Sequence, residues 1–187
     1  SAFNGCENLI KTNIPDGVTV IEPHTYGNCK TLAEITIPDS VVFIGDYAFA
    51  NAYASTKIII PSSVKTIGCY AFYNNWKATT VTLNEGLEKI GPYAFSNKTT
   101  SNSPEGVPFA YSLTLPSSLK EIGAYAFYIS RVSGELVIPG NITVLSQRAF
   151  SACHKITSVI ISEGVKEIGK ASFYNCNYST YANSDLI

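Results

Sequence analysis

Cysteine and histidine are the residues of this chain from which a nucleophile or a metal site would be built. The chain has five cysteines and two histidines in 187 residues. Cys153 and His154 are adjacent, and a thiolate nucleophile needs a neighbouring base of this kind. No third group that would orient the histidine is visible, and His24 lies in a distant segment. We therefore interpret His154 as a surface residue beside a packed cysteine, and we predict no catalytic residues.

Metal ligation and paired carboxylate chemistry are equally poorly supported. The sequence has no C-x-x-C motif and its histidines are far apart, so a zinc-type site is not expected. Glu34 and Glu135 occupy equivalent positions of a repeat but are separated by about four repeats. At roughly 4.8 Å per coil, they are too distant to act as an acid/base pair. The sequence predicts no cofactor and no metal.

An aromatic residue, usually within the dipeptide Ala-Phe, recurs along the chain at a fixed interval. Successive gaps are 23 residues, except for one gap of 32 residues. The longer gap places a single insertion within residues 96–112. A period of this size indicates a solenoid whose coils are stable only when stacked. The aromatic positions are Phe3, Tyr26, Phe49, Phe72, Phe95, Phe127, Phe150 and Phe173.

Each repeat contains two pairs of apolar rows around a proline position such as Pro38 or Pro61. The first pair is spaced by two residues and rich in β-branched side chains, which predicts a parallel strand that the proline ends. These strands are expected near residues 12, 35, 58, 81, 113, 136 and 159, in one continuous sheet. The second pair is spaced by three, which fits a short extended segment or an irregular turn. A glycine such as Gly45 follows it, and we expect this glycine to allow an unusual backbone angle. The Tyr-Ala-Phe stretch is expected to form a single helical turn.

Four cysteines share one repeat position, three residues after the aromatic: Cys6, Cys29, Cys153 and Cys176. Other repeats have Ala52, Asn75 or Ser130 there, so the position favours a small packed side chain at a turn. We expect reduced, structural thiols. Disulfides between Cys6 and Cys29, or between Cys153 and Cys176, are the alternative, since adjacent coils bring the Cα atoms close enough.

The unit LAEITIPDSVVFIGDYAF and its copies resemble the BspA-like leucine-rich repeat family, over most of the chain from Ala2 to about Cys176. The family consists mostly of secreted or surface proteins of host-associated bacteria and some protozoa. The resemblance implies an α/β-type leucine-rich repeat solenoid, a right-handed β-α superhelix. This fold would be strand-dominated, with a parallel concave sheet of about seven short strands and short helical turns. The resemblance also implies adhesion to host matrix proteins or to other cells.

Composition sets the class of partner and the organisation of the chain. Thirteen basic and fourteen acidic residues are mixed along the sequence, which argues against nucleic acid as a partner. No apolar run is long enough for direct membrane insertion.

We expect one solenoid domain over residues 1–187, with an irregular tail at 177–187. Because the chain opens in mid-repeat, we expect a mature form or a fragment of a longer protein.

Three groups of residues are candidates for partner binding. The outward rows of the predicted sheet should carry Lys57, Ile59, Thr82, Thr114, Val137 and Ile160. The threonines among them could equally serve strand propensity alone. Tyr53 and Trp76 occupy one rim position in adjacent repeats, where they either contact a partner or cover a corner left thin by Ser55 and Ala78. The insertion, with Phe109 and Tyr111, is the third candidate, or else a solvated bulge.

These features predict a non-enzymatic binding module that is extracellular or at the cell surface. Its partner would be a host or neighbouring-cell macromolecule, a protein and possibly a glycan, and its oligomeric state is left open. The alternatives are a structural spacer array, or an accessory domain of a larger surface hydrolase. Because a fold alone does not give a function, adhesion follows here only from the resemblance.

Overall fold

The structure is a computed structural model that describes residues 1–98 and 110–176. The described residues form eleven short strands in a stacked solenoid, and none of them is helical. The strands are β1 (Val20–Ile21), β2 (Phe43–Ile44), β3 (Lys57–Ile60), β4 (Thr66–Ile67), β5 (Thr80–Leu83), β6 (Lys89–Ile90), β7 (Glu121–Ile122), β8 (Ser133–Ile138), β9 (Val144–Leu145), β10 (Lys155–Ile161) and β11 (Glu167–Ile168). All the paired strands run parallel, as the repeat pattern predicts.

The first apolar pair of each repeat lies on what we call the long-strand face. Here β3 pairs with β5, and β8 pairs with β10. Lys11 and Glu34 form an isolated bridge, as do Tyr111 and Val132. The prediction of seven strands in one continuous sheet is therefore wrong, because this face is divided into separate pairs.

Local side chains and the insertion account for two of the irregularities on this face. Thr12 stands where most repeats have an aliphatic residue. Its Oγ1 accepts a hydrogen bond from the Thr36 amide at 3.0 Å, in place of a main-chain partner. Tyr111, near the end of the insertion, pairs with Val132 instead of with the residue 23 positions ahead, Gly134.

The second apolar pair forms the most continuous sheet of the molecule, which we call the short-strand sheet. Five strands follow one another in the order β1-β2-β4-β6-β7, and β9 pairs with β11. The spacing of three left an extended segment and an irregular turn as alternatives, and the structure has both. The first apolar residue closes a turn, as the Val41 amide donates to the Pro38 carbonyl at 3.0 Å, and the second lies in a two-residue strand. The sheet runs across the insertion, since Lys89 pairs with Glu121 and Ile90 with Ile122.

The Tyr-Ala-Phe segments are consecutive turns, so the prediction of a helical turn is wrong. Tyr47 and Asn51 flank Phe49 with φ of 55° and 61°, in the left-handed region that interrupts a helix. Alternate amides then point along the solenoid axis: the Tyr47, Phe49 and Asn51 amides donate to carbonyls of the next coil at 2.7–2.9 Å. This third hydrogen-bonded row binds neighbouring coils together where a helix would satisfy its amides internally.

The repeated glycine at the end of the short strands has a different role from the one expected. Gly45, Gly68, Gly91, Gly123 and Gly169 are not among the residues with positive φ. A Cβ on Gly123 would lie 2.4 Å from the Pro92 backbone nitrogen, and one on Gly45 would lie 2.6 Å from that of Pro23. Glycine is present because the backbone of the preceding coil passes too close for a side chain.

The core is a row of stacked aromatic rings, as the repeat predicts. Centroids of consecutive rings from Phe3 to Phe173 are 4.9–5.7 Å apart and their planes are nearly parallel. Phe95 and Phe127 flank the insertion and still stack at 5.2 Å. The insertion therefore leaves the stack of coils unbroken. Residues 99–109, including Phe109, and the predicted irregular tail at 177–187 lie outside the described residues.

Candidate partner-binding surfaces

The long-strand face has two grooves, each between a pair of coils that do not pair along their strands. The first groove has a volume of about 580 Å³ and lies between residues 33–39 and 56–62. Lys57 and Ile59 line one side of the groove. Glu34 and Asp39 line the other side. Ile59 is 38% exposed, so this residue points outward as predicted. The first groove thus combines an apolar side chain with charges of both signs.

The second groove adjoins the insertion, and none of its described lining residues is charged. Its volume is about 430 Å³, and Thr82 and Thr114 face it from β5 and from the segment after the insertion. Thr114 is exposed and Thr82 is half-buried. The walls offer mainly hydroxyl groups, which can both donate and accept hydrogen bonds.

Tyr111 lines the second groove but does not offer the exposed aromatic contact that we expected. Only 8% of the residue is exposed, and burial raises the pKa of its phenol well above the ordinary value. Its ring fills the interior next to Ala78, Val81 and Arg131 around a cavity of about 10 Å³. Tyr111 is a core residue that anchors the end of the insertion.

Val137 and Ile160 are neighbours on the outer side of the β8–β10 pair. They are direct partners in the strand register, and they are 43% and 46% exposed. The sequence predicted each as an outward apolar residue, and the structure places them side by side. They extend the long-strand face beyond the grooves as a small apolar patch.

Tyr53 and Trp76 are both half-buried, and the structure gives them different surroundings. Trp76 lines the small interior cavity together with Ile58 and Ala78, at the corner where Ala78 replaces a larger residue. The Lys77 ammonium lies 5.2 Å from the centre of its ring. Tyr53 lies close enough to Tyr73 to raise the pKa of that phenol further, although burial of Tyr73 is the main cause. The two rings do not form one of the stacked pairs found among the described residues.

A second aromatic surface was not identified from the sequence, because we assigned the Tyr-Ala-Phe tyrosine to a helical turn. Tyr47, Tyr70, Tyr93 and Tyr125 form what we call the tyrosine stack, with ring centroids 4.7 Å apart. All four are half-buried. Tyr73 and Tyr128 contact the stack edge-on at 5.4 and 5.6 Å. The fixed 23-residue spacing of these tyrosines, with the insertion removed, was the signal that could have revealed the surface.

The five thiols differ in burial, which sets how readily each could act as a nucleophile. The structure has all five cysteines as free thiols, with Cys29 and Cys153 buried and Cys6 exposed. Burial raises the pKa of Cys153 to about 12, which opposes formation of a thiolate. His24 stacks on Tyr47 at 4.8 Å, at the end of the tyrosine stack. In the described part of the chain, no three potential ligands are grouped as a metal would require, and no helix could span a membrane.

The family model for the BspA-type leucine-rich repeat region matches residues 1–105 and 109–185, with six copies of the repeat. The chain belongs to the BspA-type leucine-rich repeat family. Its repeats match along almost the entire sequence, so the resemblance of the LAEITIPDSVVFIGDYAF unit is confirmed. Among curated proteins, none matches this chain.

One solved structure of a leucine-rich repeat protein shares the fold of this BspA-type chain, and two others are similar to it. The T. pallidum protein TpLRR is 23% identical with a TM-score of 0.61, over 94% of this chain and 67% of that one. A leucine-rich cell surface protein from Faecalibacterium prausnitzii is 24% identical with a TM-score of 0.43, over 94% and 60%. One from Bacteroides ovatus is 21% identical with a TM-score of 0.43, over 94% and 66%. The BspA-type chain therefore spans about two thirds or less of the length of these proteins, and the likeness to TpLRR shows the fold alone.

Proposed function

We propose that this protein is a non-enzymatic binding module that engages a macromolecular partner through its long-strand face. The observation that carries the proposal is the pair of grooves, of about 580 and 430 Å³, on one side of a rigid stack of coils. Four residues predicted from the sequence as binding residues, Lys57, Ile59, Thr82 and Thr114, line them. Membership in a leucine-rich repeat family supports an interaction role, since solenoids use such extended faces for partners.

A protein partner suits the first groove better than a small molecule does. Ile59 and Ile35 offer apolar area, while Glu34, Asp39 and Lys57 provide charges of both signs within the same groove. An apolar centre with a charged border is the usual anatomy of a protein–protein interface. The hydroxyl-lined second groove would take uncharged polar groups, including those of a glycan.

We assign the module to the extracellular space or the cell surface, and its partner to a host or neighbouring cell. Support comes from the family and from the name of one similar structure, a leucine-rich cell surface protein. Adhesion is the role that fits such a location.

The test is binding of the whole chain to a panel of immobilised extracellular-matrix proteins and glycans. We expect Ile59→Asp to weaken the strongest interaction at least about tenfold, because a charge would replace an apolar contact in the first groove. The matched control is Val144→Asp, which alters a somewhat more exposed apolar residue of β9 on the short-strand side. Equal losses for both variants, or binding by neither the variants nor the wild type, would contradict the proposal.

A further inference from the structure

The tyrosine stack is a second aromatic surface, separate from the grooves of the long-strand face. Its four rings repeat every 4.7 Å, and Tyr73 and Tyr128 widen the row on one side. Tyrosine offers apolar area with a polar tip, and for this reason it is enriched at protein interfaces. The inner ring faces contact one another, and His24 and the Arg148 guanidinium cover the two end faces at 4.8 and 5.7 Å, so the tyrosines present ring edges and hydroxyl groups outward.

Asparagine side chains at the ends of the repeated turn segments form a row of hydrogen bonds from coil to coil. The Asn51 amide group donates to Asn28 Oδ1 at 2.8 Å, and that of Asn74 donates to Asn51 Oδ1 at 2.9 Å. Each side chain within this row uses one N–H group and one carbonyl lone pair along the row. A second N–H group and a second lone pair remain for a partner.

The four segments of the stack are themselves uncharged, and a charge adjoins the stack at its end, where the Arg148 guanidinium lies 5.7 Å from the centre of the Tyr125 ring. The four segments are YAFAN at 47–51, YAFYN at 70–74, YAFSN at 93–97 and YAFYI at 125–129, and none contains a charged residue. The long-strand face, in contrast, carries Glu34, Lys57 and Glu135. In a two-fold symmetric interface, each group meets the same surface of the partner copy, so like charges near the axis repel. Phenol and carboxamide groups both donate and accept, and they are therefore complementary to themselves.

The axial repeat is the second argument for the identity of the partner. A partner that contacts all four tyrosines in the same way must itself repeat every 4.7 Å. A second copy of this chain has that repeat by construction. We propose that two copies associate through their tyrosine stacks, with Tyr73 and Tyr128 of each copy against the uncharged segments of the other.

The experiment is sedimentation velocity on the full chain across the micromolar range. The wild type is expected to show a concentration-dependent monomer–dimer equilibrium. The double variant Tyr73→Lys, Tyr128→Lys places charges at the interface, and the dissociation constant of the dimer should rise at least about tenfold. The matched control, Thr82→Lys with Thr114→Lys, adds the same charges to the second groove and should leave the dimer intact.

Thermal unfolding of each variant separates association from folding. If the lysine variant does not fold, Tyr73→Phe with Tyr128→Phe keeps the edge-on rings, removes the two hydroxyls and should still weaken the dimer. A monomer at every concentration would overturn the proposal, and so would a dimer that the tyrosine variants leave unchanged. A dimer lost instead on Ile168→Lys, an exposed residue of the last described coil, would assign the contact to that coil. None of these outcomes depends on the first groove, so the binding function is tested separately.

Discussion

Cys153 Sγ donates a hydrogen bond to the carbonyl oxygen of Phe127, one coil earlier, across 3.0 Å. The same contact joins Cys29 to Phe3 and Cys176 to Phe150, each at 3.0 Å. At the equivalent position in another repeat, Asn75 Nδ2 donates to the Phe49 carbonyl at 3.0 Å. The shared cysteine position is therefore a donor site that links neighbouring coils, and the thiol can be replaced there by another small donor.

Substitution at Cys153 should separate the donor role from simple packing. Because Cys153 is fully buried, Cys153→Ala should lower the free energy of unfolding by about 1–2 kcal/mol through lost packing and a lost hydrogen bond. Cys153→Ser restores a donor and should cost less. Chemical denaturation of both variants measures the difference. If serine proved worse than alanine, the sulfur would act only as an apolar filler.

Thiol reactivity should follow the position of each cysteine in the stack. With all five thiols free, titration of unfolded, non-reduced protein should find five groups. In the folded protein, exposed Cys6 should react first. Cys153 should react last, because it is buried and its pKa is raised to about 12, so little thiolate forms near neutral pH. A count of three free thiols would instead indicate that one adjacent-coil pair is oxidised, and a count of one that both pairs are.

Much of the fold follows from the repeat, because each coil must bury the same rows against its neighbours. The stacked phenylalanines, the outward orientation of Ile59 and the uninterrupted passage of coils past the insertion were predictable for this reason. The left-handed φ of Tyr47 was not, since tyrosine rarely adopts it, and only the axial hydrogen bonds and ring stacking of neighbouring coils stabilise it. The burial of Tyr111 depends on the empty corner beside Ala78, a contact between coils that spacing alone does not reveal.

Glu85 should make the stability of the protein sensitive to acid. Its carboxylate accepts hydrogen bonds from the Ser117 and Ser118 amides of the next coil at 2.8 and 3.2 Å. The bond from the Ser117 amide is the main reason that the pKa of Glu85 lies below its ordinary value of 4.5. A carboxyl group whose pKa is lowered by folding stabilises the folded state at pH values above its ordinary pKa. This contribution is lost as the pH falls through the folded-state pKa.

Glu85→Gln should therefore be less stable than the wild type at neutral pH, and the difference should shrink in acid below pH 4.5. Urea denaturation at a series of pH values measures this. Glu163→Gln is the matched control, because Glu163 occupies the same repeat position in the last described coil, with no described coil beyond it. A stability difference that is independent of pH, or equal for both variants, would contradict the assignment.

Tyr53 and Trp76 should separate into a surface residue and a corner residue when each is replaced by alanine. Trp76 lines the interior cavity beside Ala78, so Trp76→Ala should lower the free energy of unfolding by up to about 3 kcal/mol. Tyr53 is half-buried and lines no part of that cavity, and Tyr53→Ala should change stability by less than about 1 kcal/mol. Thermal unfolding and partner binding are measured on the same preparations. Loss of binding without loss of stability in Trp76→Ala would make Trp76 a contact residue, whereas equal destabilisation by both variants would place both rings in the core.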